Sequence, residues 1–89
     1  MSTIEEVKAR LDIVETVGGY VPTLKKSGRR YKALCPFHTE RTPSFSVDPD
    51  RGSWHCFGAC STGGDVIEFV RRIEHLEFPD ALRRCAERA

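Results

Sequence analysis

Two closely spaced pairs of metal-binding residue types constrain this sequence more than any other feature. The first pair is Cys35 and His38, with the spacing C-x2-H, and the second is Cys56 and Cys60, with the spacing C-x3-C. Zinc takes four thiolate or imidazole ligands in a tetrahedron, and a short spacing lets one tight turn present two of them. Four protein ligands leave no open coordination position, so the pattern predicts one structural zinc ion rather than a catalytic one.

The same cysteines have other possible uses. They could form disulfides, act as a redox pair at Cys56 and Cys60, or be ordinary buried thiols. The first ten residues are polar and charged and contain no apolar segment of a secretory signal. We therefore expect a cytoplasmic protein, in which structural disulfides are disfavoured. The C-x3-C spacing also differs from the C-x2-C spacing usual for redox pairs.

Three further residues are spare donors that we expect not to bind the metal. Cys85 falls on the apolar stripe of the last predicted helix, where a free cysteine behaves as a small hydrophobic residue. His55 precedes Cys56 on a predicted strand, and neighbours on a strand point to opposite faces, so we expect a surface group. His75 lies near a helix C-terminus, where histidine is commonly a favourable end-cap.

The length of the chain permits a single domain, residues 1–89, with the zinc motif at residues 35–60 as its centre. A chain this short buries a limited core and often needs a metal to be stable. Metal binding would then contribute folding energy directly, so the form without zinc should be loose or unfolded.

Apolar periodicity and turn residues predict the order of elements. A helix over residues 3–17 breaks near Leu11, restarts with Asp12 as a cap and ends at Gly18-Gly19. The predicted segments that follow are an edge strand or extended stretch at 20–24, a turn at 25–28, a strand at 29–34, a hairpin at 44–47 and 53–56 around a turn at 48–52, and a flexible exit at 61–64. A helix that starts at Asp65 and another from residue 79 complete an α+β domain, in which helices flank a small antiparallel sheet.

Basic residues are concentrated on one side of the zinc motif. Residues 21–38 carry five cations and no acid, and Arg41 lies between the ligand pairs. The five are Lys25, Lys26, Arg29, Arg30 and Lys32. With Tyr31, Phe45 and Trp54 interleaved, the pattern is typical of single-stranded nucleic-acid binding. A solvated basic loop, and a core position for Phe45 and Trp54, remain open alternatives.

Longer strings carry a resemblance to a family. CPFHTERTPSF, followed by WHCFGAC and GGDVIEFV, resembles the N-terminal zinc-binding domain of the bacterial-type DNA primase. LDIVETVGGYVPTLKKSGRRYKALCPFH is similar to the family's lead-in, and LEFPDALRRCAERA is similar to its trailing helix. One departure is the C-x3-C spacing where primases of the best-known type have C-x2-C, which puts the local hydrogen bonding to sulfur in doubt.

The resemblance implies a zinc ribbon with the four ligands named above, binding of single-stranded DNA template, and selection of the start site for an RNA primer. A separate catalytic domain that uses magnesium would join the nucleotides, so we expect no catalysis by this chain alone. Because the chain stops where that domain would begin, it is either a fragment of a longer, nucleoid-associated primase, which we expect, or a stand-alone zinc module. The competing hypotheses are a zinc module that docks on the primase core or a replicative helicase, and a thiol redox protein.

Overall fold

The computed structural model describes residues 4–37, 43–58 and 61–89, which form four helices and one antiparallel sheet of five strands in the order β1-β2-β3-β4-β5. The elements are α1 (Ile4–Arg10), α2 (Ile13–Tyr20), β1 (Lys25–Ser27), β2 (Arg30–Ala33), β3 (Phe45–Asp48), β4 (Ser53–Cys56), β5 (Thr62–Asp65), α3 (Val66–Ile73) and α4 (Phe78–Arg88). The predicted α+β class, with helices on both sides of a small sheet in chain order, is confirmed. No described helix is long and apolar enough to cross a membrane.

The N-terminal helical segment breaks where the sequence predicted. Asp12 caps α2, and its Oδ1 accepts hydrogen bonds from the backbone N–H groups of Val14 at 2.9 Å and Glu15 at 3.4 Å. The prediction that Gly18-Gly19 ends the helix is wrong, because α2 continues to Tyr20. The Tyr20 ring packs edge-on against Phe69 of α3 at 5.9 Å, and this tertiary contact outweighs the poor helix propensity of two glycines.

The first strand lies later in the chain than predicted. Residues 21–24 form a turn rather than an edge strand, and Lys25–Ser27, which was predicted as a turn, is β1. The connection to β2 is the two-residue loop 28–29, with Gly28 at a φ of +66°. A glycine with positive φ at the first loop position is typical of a type II′ hairpin turn, whose twist matches that of the flanking strands.

The central hairpin is confirmed, whereas the segment after it differs from the prediction. Asp48 Oδ1 accepts hydrogen bonds from the backbone N–H groups of Asp50 and Arg51 and closes the turn between β3 and β4. Residues 61–64 do not form a flexible exit, because Thr62–Asp65 is the edge strand β5. Asp65 then caps α3 as predicted, since its Oδ1 accepts from the Glu68 N–H at 2.8 Å.

The two faces of the sheet have different surroundings. Directly paired residues of antiparallel strands share a face, and the row Ala33, Phe45 and Cys56 is buried. Phe69 of α3 contacts Phe45 at 5.9 Å and Trp54 at 6.0 Å, so α3 packs against this inner face. We call the opposite side the open face. It consists of Lys25, Ser27, Arg30, Lys32, Leu34, Ser46, Asp48, Ser53, His55 and Phe57.

Candidate metal centre and nucleic-acid interface

One end of the sheet brings together a cysteine from each predicted ligand pair. Cys56 is the last residue of β4 and pairs with Phe45, which also pairs with Ala33, two residues before Cys35. Cys35 is 4% exposed and Cys56 is fully buried. The Ser44 hydroxyl lies 3.9 Å from the Cys56 Sγ. Two buried sulfur donors at one end of a sheet suit the preference of zinc for thiolate ligands.

The other two predicted ligands, His38 and Cys60, lie outside the described residues, as does Arg41. The four-ligand set therefore stays a prediction. The described residues alone form no cluster of three or more His, Cys, Asp or Glu side chains that could hold a metal ion.

The residues predicted not to bind metal lie where the sequence placed them. Cys85 is fully buried in α4, and burial raises the pKa of its thiol, as is typical of a core cysteine. His55 is exposed on the open face. His75 directly follows Glu74, the C-cap residue of α3.

The predicted DNA-binding residues divide between the two faces. Lys25 pairs with Lys32, which pairs with Ser46, which in turn pairs with His55, so these four form one row across the open face. Lys26 and Tyr31 pair with each other and belong to the inner-face row that contains Val47 and Trp54.

Two arginines of the predicted set have separate positions. Arg30 lies one row further from the zinc end on the open face and forms an ion pair with Asp48 at 3.9 Å. Arg29 lies in the turn between β1 and β2, and both arginines are exposed. The structure thus brings Lys25, Arg30 and Lys32 onto one surface.

The aromatic residues that were candidates for base stacking are not on that surface. Phe45 is fully buried and Trp54 is 2% exposed, and the Trp54 Nε1–H donates to the Asp65 carbonyl at 2.9 Å. Both are core residues, which was the alternative that the sequence left open. Tyr31 is half-buried.

Phe57 is the aromatic residue that the sequence argument missed. It is 65% exposed, and its ring centroid lies 4.4 Å from that of His55. The backbone N–H of Phe57 donates to the Ser44 carbonyl at 2.8 Å, which continues the β3–β4 pairing by one residue. Strand alternation was the available signal, because Ser53, His55 and Phe57 fall on the same face.

Gly63 determines where the His55 ring can lie. A Cβ atom at Gly63 would be 2.6 Å from the Trp54 carbonyl oxygen and 2.7 Å from His55 Nδ1. The imidazole therefore occupies the space that a side chain at position 63 would fill. His55 and Phe57 form a tilted aromatic pair, with 56° between the ring planes, at the end of the lysine row, and Leu34, 41% exposed, lies on the same face near the zinc end.

Comparison with known proteins identifies the family. The model of the CHC2 zinc finger family matches residues 1–89. The chain is 52% identical to the DNA primase of Enterococcus faecalis over 84 residues, which are 94% of this chain and 13% of that protein. It is 50% identical to the DNA primase of Thermotoga maritima over 86 residues, which are 97% of this chain and 15% of that protein.

A solved structure has the same fold. The crystal structure of the zinc-binding and RNA polymerase domains of the Aquifex aeolicus primase superposes with a TM-score of 0.90 at 40% identity and covers 99% of this chain and 22% of that one. The chain spans about one-seventh of the length of the two curated relatives. The match over all 89 residues and the identities near 50% show that the chain belongs to the CHC2 zinc finger family and is a zinc-binding domain of the DNA primase type.

Proposed function

We propose that this chain binds the single-stranded DNA template of a primase and helps to select where the RNA primer starts. The observation that carries the proposal is the open face, on which Lys25, Lys32 and the His55–Phe57 pair lie on one surface without a covering helix among the described residues. Exposed lysines supply contacts to phosphates, and an exposed aromatic ring stacks on any base.

The dimensions of the face suit a short stretch of single strand. The row from His55 to Lys25 crosses four adjacent strands, and three strand spacings of about 4.8 Å give a length of about 14 Å. A strand that lies along this row would stack a base on Phe57 and His55 and place its neighbouring phosphates at Lys32 and Lys25. Ser46, between His55 and Lys32 in this row, is only 6% exposed, so the contacts to the strand come from the residues on either side of it.

Zinc has a structural role in this proposal. Cys35, His38, Cys56 and Cys60 hold one ion, which joins the end of β2 to the end of β4. The fit rests on the two buried thiols at one end of the sheet. Because Phe57 directly follows Cys56, the same ion would fix the backbone that presents the stacking ring.

Polymerisation belongs to another part of the primase. The relatives are several times longer than this chain, and the Aquifex structure is named for a zinc-binding and an RNA polymerase domain. We infer that a catalytic domain with its own magnesium is the main protein partner, that the chain makes no RNA alone, and that template binding keeps it with the DNA of the cytoplasm. A replicative helicase is a further possible partner that the same experiments address.

Fluorescence anisotropy with a labelled single-stranded oligonucleotide, measured across a salt series, tests template binding. With three to five phosphate contacts, log affinity should fall with log salt with a slope of roughly −2 to −3.5. Changing Lys25 and Lys32 together to alanine should reduce the steepness of the slope by roughly 1.4. Phe57→Ala should weaken binding by about 1 to 3 kcal/mol and leave the slope unchanged.

Lys26→Ala is the matched control, because Lys26 neighbours Lys25 in sequence and belongs to the inner-face row. Its effect on the slope should be smaller than that of either open-face lysine. A Lys26 effect equal to that of Lys25, or DNA binding without salt dependence, would contradict the proposal. Retention of docking to a primase core or helicase by the Lys25 and Lys32 variant, with DNA binding unaffected, would favour the docking function instead.

A second assay separates the chain's role from catalysis. The chain added in trans to a primase core that lacks its zinc domain should restore primer initiation, and the Lys25 and Lys32 variant should restore less. Primer synthesis by the 89 residues alone would contradict the assignment of polymerisation to a separate catalytic domain.

A further inference from the structure

A groove of about 580 Å³ lies between the turn that follows Cys35 and the C-terminal end of α3, away from the open face. Its apolar lining includes Pro36, Phe37 and Leu76, and its cationic lining includes Arg71 and Arg72. The volume is within the range of roughly 300 to 1,000 Å³ that is typical of small-molecule sites. An apolar surface beside guanidinium groups suits a ligand with one flat apolar part and one anionic part.

The two arginines are held in position by one carboxylate. Arg71 donates to Glu68 through Nε at 3.0 Å and Nη2 at 2.8 Å, and Arg72 donates to the same carboxylate through Nε at 2.7 Å. The Nη groups of Arg72 donate to no described residue, so they are available to a ligand. A guanidinium that is already oriented loses little conformational freedom when it binds a phosphate.

The backbone at His75 gives a second, independent indication. Glu74 is the cap of α3, His75 follows it with a φ of +55°, and the Leu76 N–H donates to the Arg71 carbonyl at 2.9 Å. This is the Schellman arrangement, in which the residue in the left-handed conformation is usually glycine. A histidine there is strained, and strained residues concentrate at functional sites. His75 lines the groove, so its strained backbone conformation is consistent with a binding role for this residue.

We propose that this groove binds a nucleotide, with its phosphate at the Nη groups of Arg72 and its base against Phe37, Leu76 and His75. The nucleotide is either a free nucleoside triphosphate or a residue of a nucleic-acid strand beyond the open face. Binding of a free triphosphate is independent of the proposed template binding, whereas binding of a strand residue rests on it. Glu68 and Glu77 balance the charges of the two arginines, so recognition depends on directed N–H donors rather than on net positive charge.

Titration of the zinc-loaded chain with ATP, followed by the amide chemical shifts of the 89 residues, tests the inference. Adenosine and inorganic triphosphate are the partial probes, and ATP should bind more tightly than either. Arg72→Gln should weaken ATP binding by about tenfold, since it removes hydrogen bonds to a charged group. Arg83→Gln is the matched control, because Arg83 is also paired to an acid of its own helix, at 3.7 Å, and does not line the groove.

His75→Gly separates function from folding. Glycine accepts a positive φ without strain, so the thermal midpoint should stay the same or rise while ATP affinity falls. The variant that replaces Lys25 and Lys32 should bind ATP normally, which keeps this result independent of the open face.

The outcomes identify the source of the nucleotide. Shifts at Arg71, Arg72 and His75 with ATP indicate a free nucleotide. Shifts there only with an oligonucleotide too long for the open face indicate a strand residue. No shift with either probe, or equal losses for Arg72→Gln and Arg83→Gln, would overturn the inference.

Discussion

Asp65 connects three elements, and its replacement tests how the domain is held together. Its Oδ1 caps α3 at 2.8 Å from the Glu68 N–H, and its Oδ2 lies 3.4 Å from the Lys8 Nζ of α1. Loss of an N-cap side chain costs about 1 kcal/mol. The ion pair is more than a third exposed on each side, so it adds only about 0.5 kcal/mol. Asp65→Ala should therefore lower the free energy of unfolding by about 1.5 kcal/mol.

Asp65→Asn distinguishes the two contributions, because asparagine keeps a capping oxygen and loses the charge. Its cost should be about 0.5 kcal/mol, close to that of Lys8→Met, which removes the other partner. Neither change affects the Asp65 carbonyl that accepts from Trp54. Urea unfolding with zinc in excess, followed by the fluorescence of Trp54, gives the three values. Equal losses for Asp65→Asn and Asp65→Ala would refute the argument that the cap dominates.

Two further predictions concern the metal and the pH dependence of stability. Cys60→Ala should release zinc and unfold the domain, whereas Cys85→Ala should keep the metal and cost about 1 to 3 kcal/mol of core packing; metal analysis and circular dichroism check both, and the reverse pattern would show that the ligand set is wrong. Hydrogen bonds from Arg71, opposed by partial burial, hold the pKa of Glu68 below its ordinary value of 4.5. The stabilising contribution of the Glu68 carboxylate, less than about 1 kcal/mol, should thus be fully present above pH 4.5 and disappear as the pH falls through the lowered pKa. The free energies of unfolding of Glu68→Gln and of the unaltered chain, measured by urea unfolding at a series of pH values, should therefore converge in acid.

Local chemistry made part of the fold predictable. Asp12, Asp48 and Asp65 each have a carboxylate that accepts from backbone N–H groups one turn ahead, and such signals act within a few residues. The burial of Cys85 also followed from sequence, because helical periodicity alone places it on the apolar stripe. Strand alternation likewise placed His55 on the face opposite Cys56.

Other features depend on contacts between distant residues. Residues 25–27 are polar and exposed, and only their pairing with β2 makes them a strand. Gly18 and Gly19 stay helical because Tyr20 is held by Phe69 and by hydrogen bonds with Glu74 and Arg88. The choice between stacking and core positions for Phe45 and Trp54 depended on which face α3 covers, which no short-range pattern states.

The β5 strand shows why composition misled the prediction at the exit of the zinc motif. Gly63 and Gly64 have low strand propensity. They lie on opposite faces of the sheet, and neither face has room for a side chain at these positions. A Cβ at Gly63 would meet His55, and a Cβ at Gly64 would lie 2.8 Å from the Glu68 Cγ. The first glycine permits the aromatic pair of the open face, and the second permits the carboxylate that orients Arg71 and Arg72. Both proposed binding surfaces thus depend on the close approach that this dipeptide allows.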